Sequence, residues 1–406
     1  MHQKSTTAII IPIPNPGQLG NCTRSLKKSL NMRKAVFIHS EQMEHFAYPA
    51  HCPFDVSRAG KTRKVLDSLG LLSADNCAVA APEPAERIQL KKFHSARYLH
   101  VLKNAAAGRF DREALYMGIG TPDCPVFADM YDYSAMACGA TITAAGLILS
   151  GQADVAFNPS GGLHHAGPEQ ASGFCFMNDV AIGCIVLAEA GKRVLYLDVD
   201  VHHCDGVQNA FYSRNDVMTI SFHQSGRTLF PGTGFEDEIG TGQGLGYCVN
   251  VPLVIGTYDQ AYMKTFNAIA LPLLNAYNPD VIVLQMGADA LAGDPLANLC
   301  LTNNTYAEII EQLLSFNKPI LATGGGGYNI DNTVRAWALV WSLLAGAETD
   351  SSKLGLGGVM LGTTDWQGGL RDRRLAVTEQ QHNAVMPHID ATIEKVKANV
   401  FAIHGL

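Results

Sequence analysis

The chain has 406 residues, 47% hydrophobic and 17% charged, enough to bury a large core and without the compositional bias of a disordered protein. A net charge of −7, a pI near 6.0 and the lack of any dense basic run argue against a nucleic-acid binder, which needs clustered Lys and Arg to displace counterions from phosphates. The ten cysteines (Cys22, Cys52, Cys77, Cys124, Cys138, Cys175, Cys184, Cys204, Cys248 and Cys300) form no CxxC pair, which argues against zinc fingers and disulfide frameworks and fits a reducing, cytoplasmic compartment. The apolar run Ala8 to Pro14 is too short and too rich in proline to span a membrane.

Residues 1–31 carry Pro, Asn and Ser and are expected to be a flexible extension, with Met32 as an alternative start and a domain over 32–406. A strand follows at Ala35 to His39, and residues 136–150 have helical composition. Apolar runs at Asp154 to Phe157, Val194 to Val201, Val217 to Phe222, Val281 to Met286 and Pro319 to Thr323 read as buried strands. The stretches between them are long enough for crossover helices, and Val377 to Ile403 has helical spacing. With no linker or internal repeat, the expectation is a single large α/β domain: a doubly wound, mostly parallel sheet with helices on both faces.

Several of these strands end in polar or glycine-rich residues. Phe157 leads to Gly161-Gly162-Leu163-His164-His165, Met286 to Gly287-Ala288-Asp289, and Thr323 to Gly324-Gly325-Gly326-Gly327-Tyr328. In open parallel sheets the ligand crevice lies outside the carboxyl ends of the strands, so these segments can converge. Along Leu195 to His202, a period of two sets Asp198, Asp200 and His202 on one face, where unpaired carboxylates on a covered strand would be costly unless they hold a metal. Asp289 is the best third ligand, although an Asp after a strand also serves as a helix N-cap. Three protein ligands leave the open position that a catalytic metal needs.

The adjacent His164 and His165 can divide proton transfer, one as base and one as acid, with Asp198 and Asp205 as orienting partners. The Gly324 to Gly327 run lacks a following Gly-Lys-Ser/Thr, so a phosphate loop is excluded. Tyr328 after it can donate a hydrogen bond to an oxyanion, or can simply pack after a turn.

Taken together, Gly161-Gly162-Leu163-His164-His165-Ala166, Gly173-Phe174-Cys175, Asp198-Val199-Asp200-Val201-His202-His203, Phe230-Pro231-Gly232-Thr233-Gly234, Gly287-Ala288-Asp289 and Gly324 to Tyr328 resemble the zinc-dependent histone deacetylase family, over about Val36 to Leu344. Within it, Phe230 to Ile239 and Gly287 to Leu296 look most like the bacterial acetoin-utilisation deacetylases, close to the class I type. The resemblance implies the arginase/deacetylase fold and hydrolysis of the acetyl amide of N-ε-acetyl-lysine in a protein or peptide. It implies Zn2+ on Asp200, His202 and Asp289, with Fe2+ or Mn2+ also acceptable to that donor set. His164, His165, Asp198, Asp205 and Tyr328 would be the catalytic residues. Phe174 and Phe230 would wall a tunnel for the lysine methylenes, Gly173 would contact the chain inside it, Leu296 would line its mouth, and Asp123 would accept from substrate amides at the rim. Two structural K+ sites are implied, one at Asp198, Asp200, His202, Ser221 and Phe222, the other at Phe211, Arg214, Val217 and Tyr247.

Cys204 stands where the family usually has Gly, which points to local backbone strain or a shifted Asp205. Alternative functions are a small-molecule amidohydrolase acting on acetylpolyamines and a non-catalytic acetyl-lysine binder. A two-manganese ureohydrolase would need a second acidic ligand set, for which His203 is the only spare candidate.

Overall fold

The computed structural model describes residues 33–347 and 369–406. The expected extension, with Met32 and Cys22, lies outside them. Eight strands form one sheet in the order β2-β1-β3-β8-β7-β4-β5-β6, and every neighbouring pair is parallel. They are β1 (Ala35–Ile38), β2 (Cys77–Ala80), β3 (Val155–Asn158), β4 (Val194–Asp198), β5 (Val217–Gln224), β6 (Cys248–Leu253), β7 (Val281–Gln285) and β8 (Ile320–Thr323). The chain runs outward through β4, β5 and β6, then returns to insert β7 and β8 between β4 and β3. Two neighbouring strands, β4 and β7, therefore diverge in connection, which opens a crevice at their carboxyl ends.

Alternation within the strands explains the layers. Phe37, Phe157, Leu195, Leu197 and Ile282 pack with the helices Asp259–Tyr277, Asn303–Ser315, Ile330–Leu344 and Glu379–Val400. On the other face, Val36, Ala156, Tyr196 and Val283 pack with Met130–Leu149, Asp179–Glu189 and Asp205–Phe211. Helix Met130–Leu149 is long and apolar enough to cross a membrane, but 67% of its most apolar window is buried inside the fold, as in a core helix. Trp337 and Trp341 are fully buried and donate their indole N–H groups to the carbonyls of Met286 (2.7 Å) and Leu71 (2.9 Å), so neither carries an unpaired donor into the core.

Near its carboxyl end the sheet changes character. The register places Asn158, Thr323, Gln285, Asp198, Ser221 and Asn250 in one row across six strands. Within the row Thr323 donates to Gln285 (3.0 Å), and Gln285 in turn donates to the Gly162 carbonyl (2.8 Å) on the loop above. Beyond it lie the loops that carry the candidate site.

The strand expected at Val194 to Val201 stops at Asp198. Its carboxylate accepts the Asp200 amide (2.9 Å), and the Asp200 carboxylate accepts the His202 amide (2.9 Å), so local side-chain bonds replace the ladder. Alternation nevertheless continues past the strand, since Val199 and Val201 join the core while Asp198, Asp200 and His202 face the crevice.

Candidate functional site

Four adjacent strands supply the site. Asp200 and His202 follow β4, Asp289 follows β7, His164 and His165 follow β3, and Tyr328 follows β8. The donor atoms of Asp200, His202 and Asp289 all lie within 4.8 Å of one another, and all three residues are buried. His202 Nδ1 sits 3.3 Å from Asp200 Oδ1 and 3.0 Å from Asp289 Oδ2. Ligands at tetrahedral angles around one small divalent ion lie about 3.3 Å apart, which is close to the spacing of His202 from each carboxylate. The two carboxylates find their ion-pair partners in histidines, and burial of such a cluster is what a bound cation compensates.

Electrostatics point the same way. Burial opposes charge on His202, but its bonds to Asp200 and Asp289 outweigh this and raise it to about 10. Burial, reinforced by the Asp200 charge, raises Asp289 to about 7. For Asp200, burial is outweighed by His164 and His202, which hold it well below the usual carboxylate range. A divalent ion would replace the protons that these groups now share.

The glycines explain how two carboxylates reach one point. A Cβ on Gly326 would stand 1.9 Å from Asp289 Oδ2, and one on Gly287 would stand 2.0 Å from Asp200 Oδ2. The Gly326 amide donates to Asp200 Oδ2 at 2.7 Å. The glycine run thus packs against the Asp200 and Asp289 carboxylates as well as leading to Tyr328, a role that its lack of a phosphate-loop signature did not reveal.

His164 and His165 lie side by side, with Nε2 atoms 3.0 Å apart. His164 Nδ1 meets Asp198 Oδ2 at 2.7 Å, and His165 Nδ1 meets Asp205 Oδ1 at 2.7 Å. Two proton arrangements satisfy all three bonds, one histidine being charged and donating from both nitrogens while the other is neutral and accepts at Nε2. Titration favours a charged His164. Burial opposes charge on His164, yet Asp198 and Asp200 outweigh it and raise it to about 9; burial and the neighbouring His164 lower His165 to about 4. Asp198 is further anchored by a short bond to the Tyr196 hydroxyl.

Tyr328 packs edge-on against Phe174, with ring centroids 5.7 Å apart. Burial, together with Asp289 and Asp200, keeps its phenol well above the ordinary value, so it remains a donor. Phe230, 43% exposed, packs 5.0 Å from His165 and 6.3 Å from His202, on the open side of the cluster. Gly173 lies between, at φ +53, where a Cβ would strike His165 at 2.4 Å and Phe230 at 3.0 Å. Its amide donates to Asp123 Oδ2 (3.0 Å), so one oxygen of Asp123 is already engaged within the chain. Leu296 is half-buried, its amide bonded to Asp294 (2.9 Å).

Some residues expected at the monovalent sites have neighbours that can be named. Ser221 is in register with Asp198, although its hydroxyl pairs with His223 Nδ1 (2.9 Å), and Phe222 follows it in β5. Near the start of β5 at Val217, the Phe211 carbonyl accepts the Arg214 amide and the Tyr247 carbonyl accepts the Thr219 amide, both at 2.9 Å.

At Cys204 the expectation of strain or displacement fails. Its φ of −78° and ψ of 54° make an inverse γ-turn, closed by the Asp205 amide on the His203 carbonyl (2.9 Å), its side chain is buried, and Asp205 is in place on His165. The sequence also left supporting residues unassigned. Buried Asp179 accepts the amides of Gly162 and Leu163 (3.1 and 2.8 Å), and Asn178 donates to the carbonyls of His164 and Ala166, so together they set the histidine loop. Asn178 is also the N-cap of the helix Asp179–Glu189, a signal readable in the sequence.

A buried Asp/His/Asp set, backed by a carboxylate-supported histidine pair at the carboxyl ends of a parallel sheet, marks a candidate metal centre in an α/β protein. Residues 52–344 match the histone deacetylase domain model. Histone deacetylase 8 of Xenopus tropicalis is 39% identical over 296 residues, covering 72% of this chain and 79% of the relative. Histone deacetylase RPD3 of Saccharomyces cerevisiae is 36% identical over 78% of this chain and 73% of its own length. Histone deacetylase 3 of Oryza sativa subsp. japonica is 40% identical over 78% of this chain, which spans 62% of the rice protein. The crystal structure of an HDAC homolog complexed with SAHA matches with a TM-score of 0.80 at 31% identity, covering 90% of this chain and all of that one. The chain belongs to the histone deacetylase family.

Proposed function

We propose that the protein hydrolyses the acetyl amide of N-ε-acetyl-lysine in protein or peptide substrates, with Zn2+ on Asp200, His202 and Asp289. The observation that carries this is the meeting of the buried donor set with His164, His165 and Tyr328 beside the Phe174 and Phe230 rings. A divalent ion there supplies Lewis-acid charge for the acyl carbonyl and lowers the pKa of an attacking water. His165, neutral and held by Asp205, accepts the proton from the water. His164, charged and held by Asp198, stabilises the developing negative charge and supplies a proton toward the departing amine. The Tyr328 hydroxyl donates to the oxyanion. Phe174 and Phe230 offer apolar walls to the lysine methylenes, Gly173 leaves room between them, and Asp123 and Leu296 border the entrance.

The two K+ sites carried by Asp198, Asp200, His202, Ser221 and Phe222, and by Phe211, Arg214, Val217 and Tyr247, belong to the same proposal as structural ions. A reducing, cytoplasmic location is supported by the described cysteines, all of which are free. The test is side-by-side turnover of an acetyl-lysine peptide and an acetylated polyamine by the zinc-loaded protein. Peptide turnover is expected; turnover of the polyamine alone would move the function to small-molecule amide hydrolysis.

A further inference from the structure

Tyr328 follows four consecutive glycines, of which Gly325 and Gly327 sit at φ +141 and +129, and although Asp200 holds the Gly326 amide (2.7 Å) and Arg58 the Gly327 carbonyl (2.8 Å), neither reaches the tyrosine's own amide. Other groups hold it instead. The Tyr328 amide donates to Asp294 Oδ2 at 2.7 Å, with the Asn329 amide on the same oxygen at 3.4 Å. The other oxygen of Asp294 accepts the Leu296 amide at 2.9 Å. Asp294 is 7% exposed, and each of these bonds goes to a backbone amide. It lies on the loop leaving Asp289, so one carboxylate joins the chain after a metal ligand, the tunnel mouth and the oxyanion donor. The same two loops are also sewn together separately, by Asn332 on the Ala292 carbonyl (3.2 Å) and Asn329 on the Gly293 carbonyl (3.5 Å), so their association does not depend on Asp294 alone.

We propose that Asp294 is the positioning residue for the Tyr328 phenol, fixing the tyrosine backbone through one oxygen while the other ties it to the Leu296 segment at the entrance. A carboxylate suits this because both oxygens accept; an amide offers one acceptor and opposes a donor to the second N–H. The inference rests on the hydrolase reading proposed above.

The experiment measures kcat and KM for Asp294→Asn in the Tyr328 and Tyr328→Phe backgrounds, with metal affinity by chelator competition and hydrogen exchange at the Tyr328 amide. In the tyrosine background kcat is expected to fall on the order of tenfold or more, as misplacing a reacting group by a fraction of an ångström does, with KM little changed. In the phenylalanine background Asp294→Asn should cause almost no further loss. Metal affinity should hold, and exchange at Tyr328 should quicken. Asp294→Glu, which keeps both acceptors, should recover part of kcat, and it serves in the same cycle if Asp294→Asn does not fold. Equal losses in both backgrounds, a change confined to KM, or weakened metal binding would overturn the positioning role while leaving the hydrolase reading intact. An inactive wild-type protein, or a Tyr328→Phe variant as active as wild type, would sink that reading and this inference with it.

Discussion

His164 and His165 are chemically identical side chains made unequal by what lies behind them. His164 sees two carboxylates, Asp198 and Asp200, and is raised to about 9; His165 has Asp205 but also burial and a charged neighbour, and is lowered to about 4. A base with a depressed value works above it, and an acid with a raised value works below it. The expected kcat/KM profile is therefore a bell, with an acid limb rising through about 4 and an alkaline limb falling at or below about 9, because a cation on Asp200 removes part of what raises His164. In His165→Ala the acid limb should disappear along with most of the turnover. A profile whose acid limb survives that substitution would assign the base elsewhere.

Cys204 carries the opposite lesson at the same scale. Expected to strain its loop, it instead sits in an inverse γ-turn, and its thiol, which burial raises well above the ordinary range, is buried rather than reactive. Cys204→Gly should keep turnover while lowering the melting temperature, at a cost of about 1–2 kcal/mol for the lost packing and the freer chain. A sharp fall in kcat without unfolding would give the thiol a role of its own.

Among the elements, the glycine run is held to its composition by its neighbours: Gly325 and Gly326 face the Asp200 and Asp289 carboxylates, while Gly324 and Gly327 face the Pro159 carbonyl and Thr333. Gly326→Ala would push a methyl group to 1.9 Å from Asp289 Oδ2, so it should weaken metal binding by at least tenfold, an effect on the scale of losing a ligand's supporting partner. Gly146, in helix Met130–Leu149, has nothing within 4 Å of its Cβ position, and Gly146→Ala should leave metal affinity alone and slightly raise stability. Chelator competition on the two variants checks both; equal affinities would mean that the loop can retreat from the ligands.

The elements also show what the sequence could and could not disclose. The strands read in advance are those buried on both faces, where continuous apolar runs leave little ambiguity. The two that were missed, β2 and β6, are the edges of the sheet. Cys77–Ala80 is short and partly exposed, and Cys248–Leu253 contains Asn250 and Pro252, residues that an edge tolerates and a central strand does not. Asp200, His202, Asp289 and the histidine pair were legible because polar residues at the ends of apolar strands are conspicuous. Asp179 and Asp294 were not, since they act on backbone amides whose positions only the folded chain defines.

For the whole molecule, the connectivity is what creates the site. Inserting β7 and β8 between β3 and β4 brings four loops from distant parts of the chain over four adjacent strands, and the polar row beneath them separates an apolar core from a charged crevice. On the proposed reading, this crevice hydrolyses an acetylated lysine with Tyr328 as oxyanion donor. The most direct test is turnover of an acetyl-lysine peptide by zinc-loaded wild-type and Tyr328→Phe proteins of equal metal content. The expected result is clear wild-type turnover and a loss on the order of a hundredfold or more in kcat for the variant, as for removal of an oxyanion donor elsewhere. Wild-type turnover matched by Tyr328→Phe, or no turnover by a fully metal-loaded wild-type protein, would contradict it.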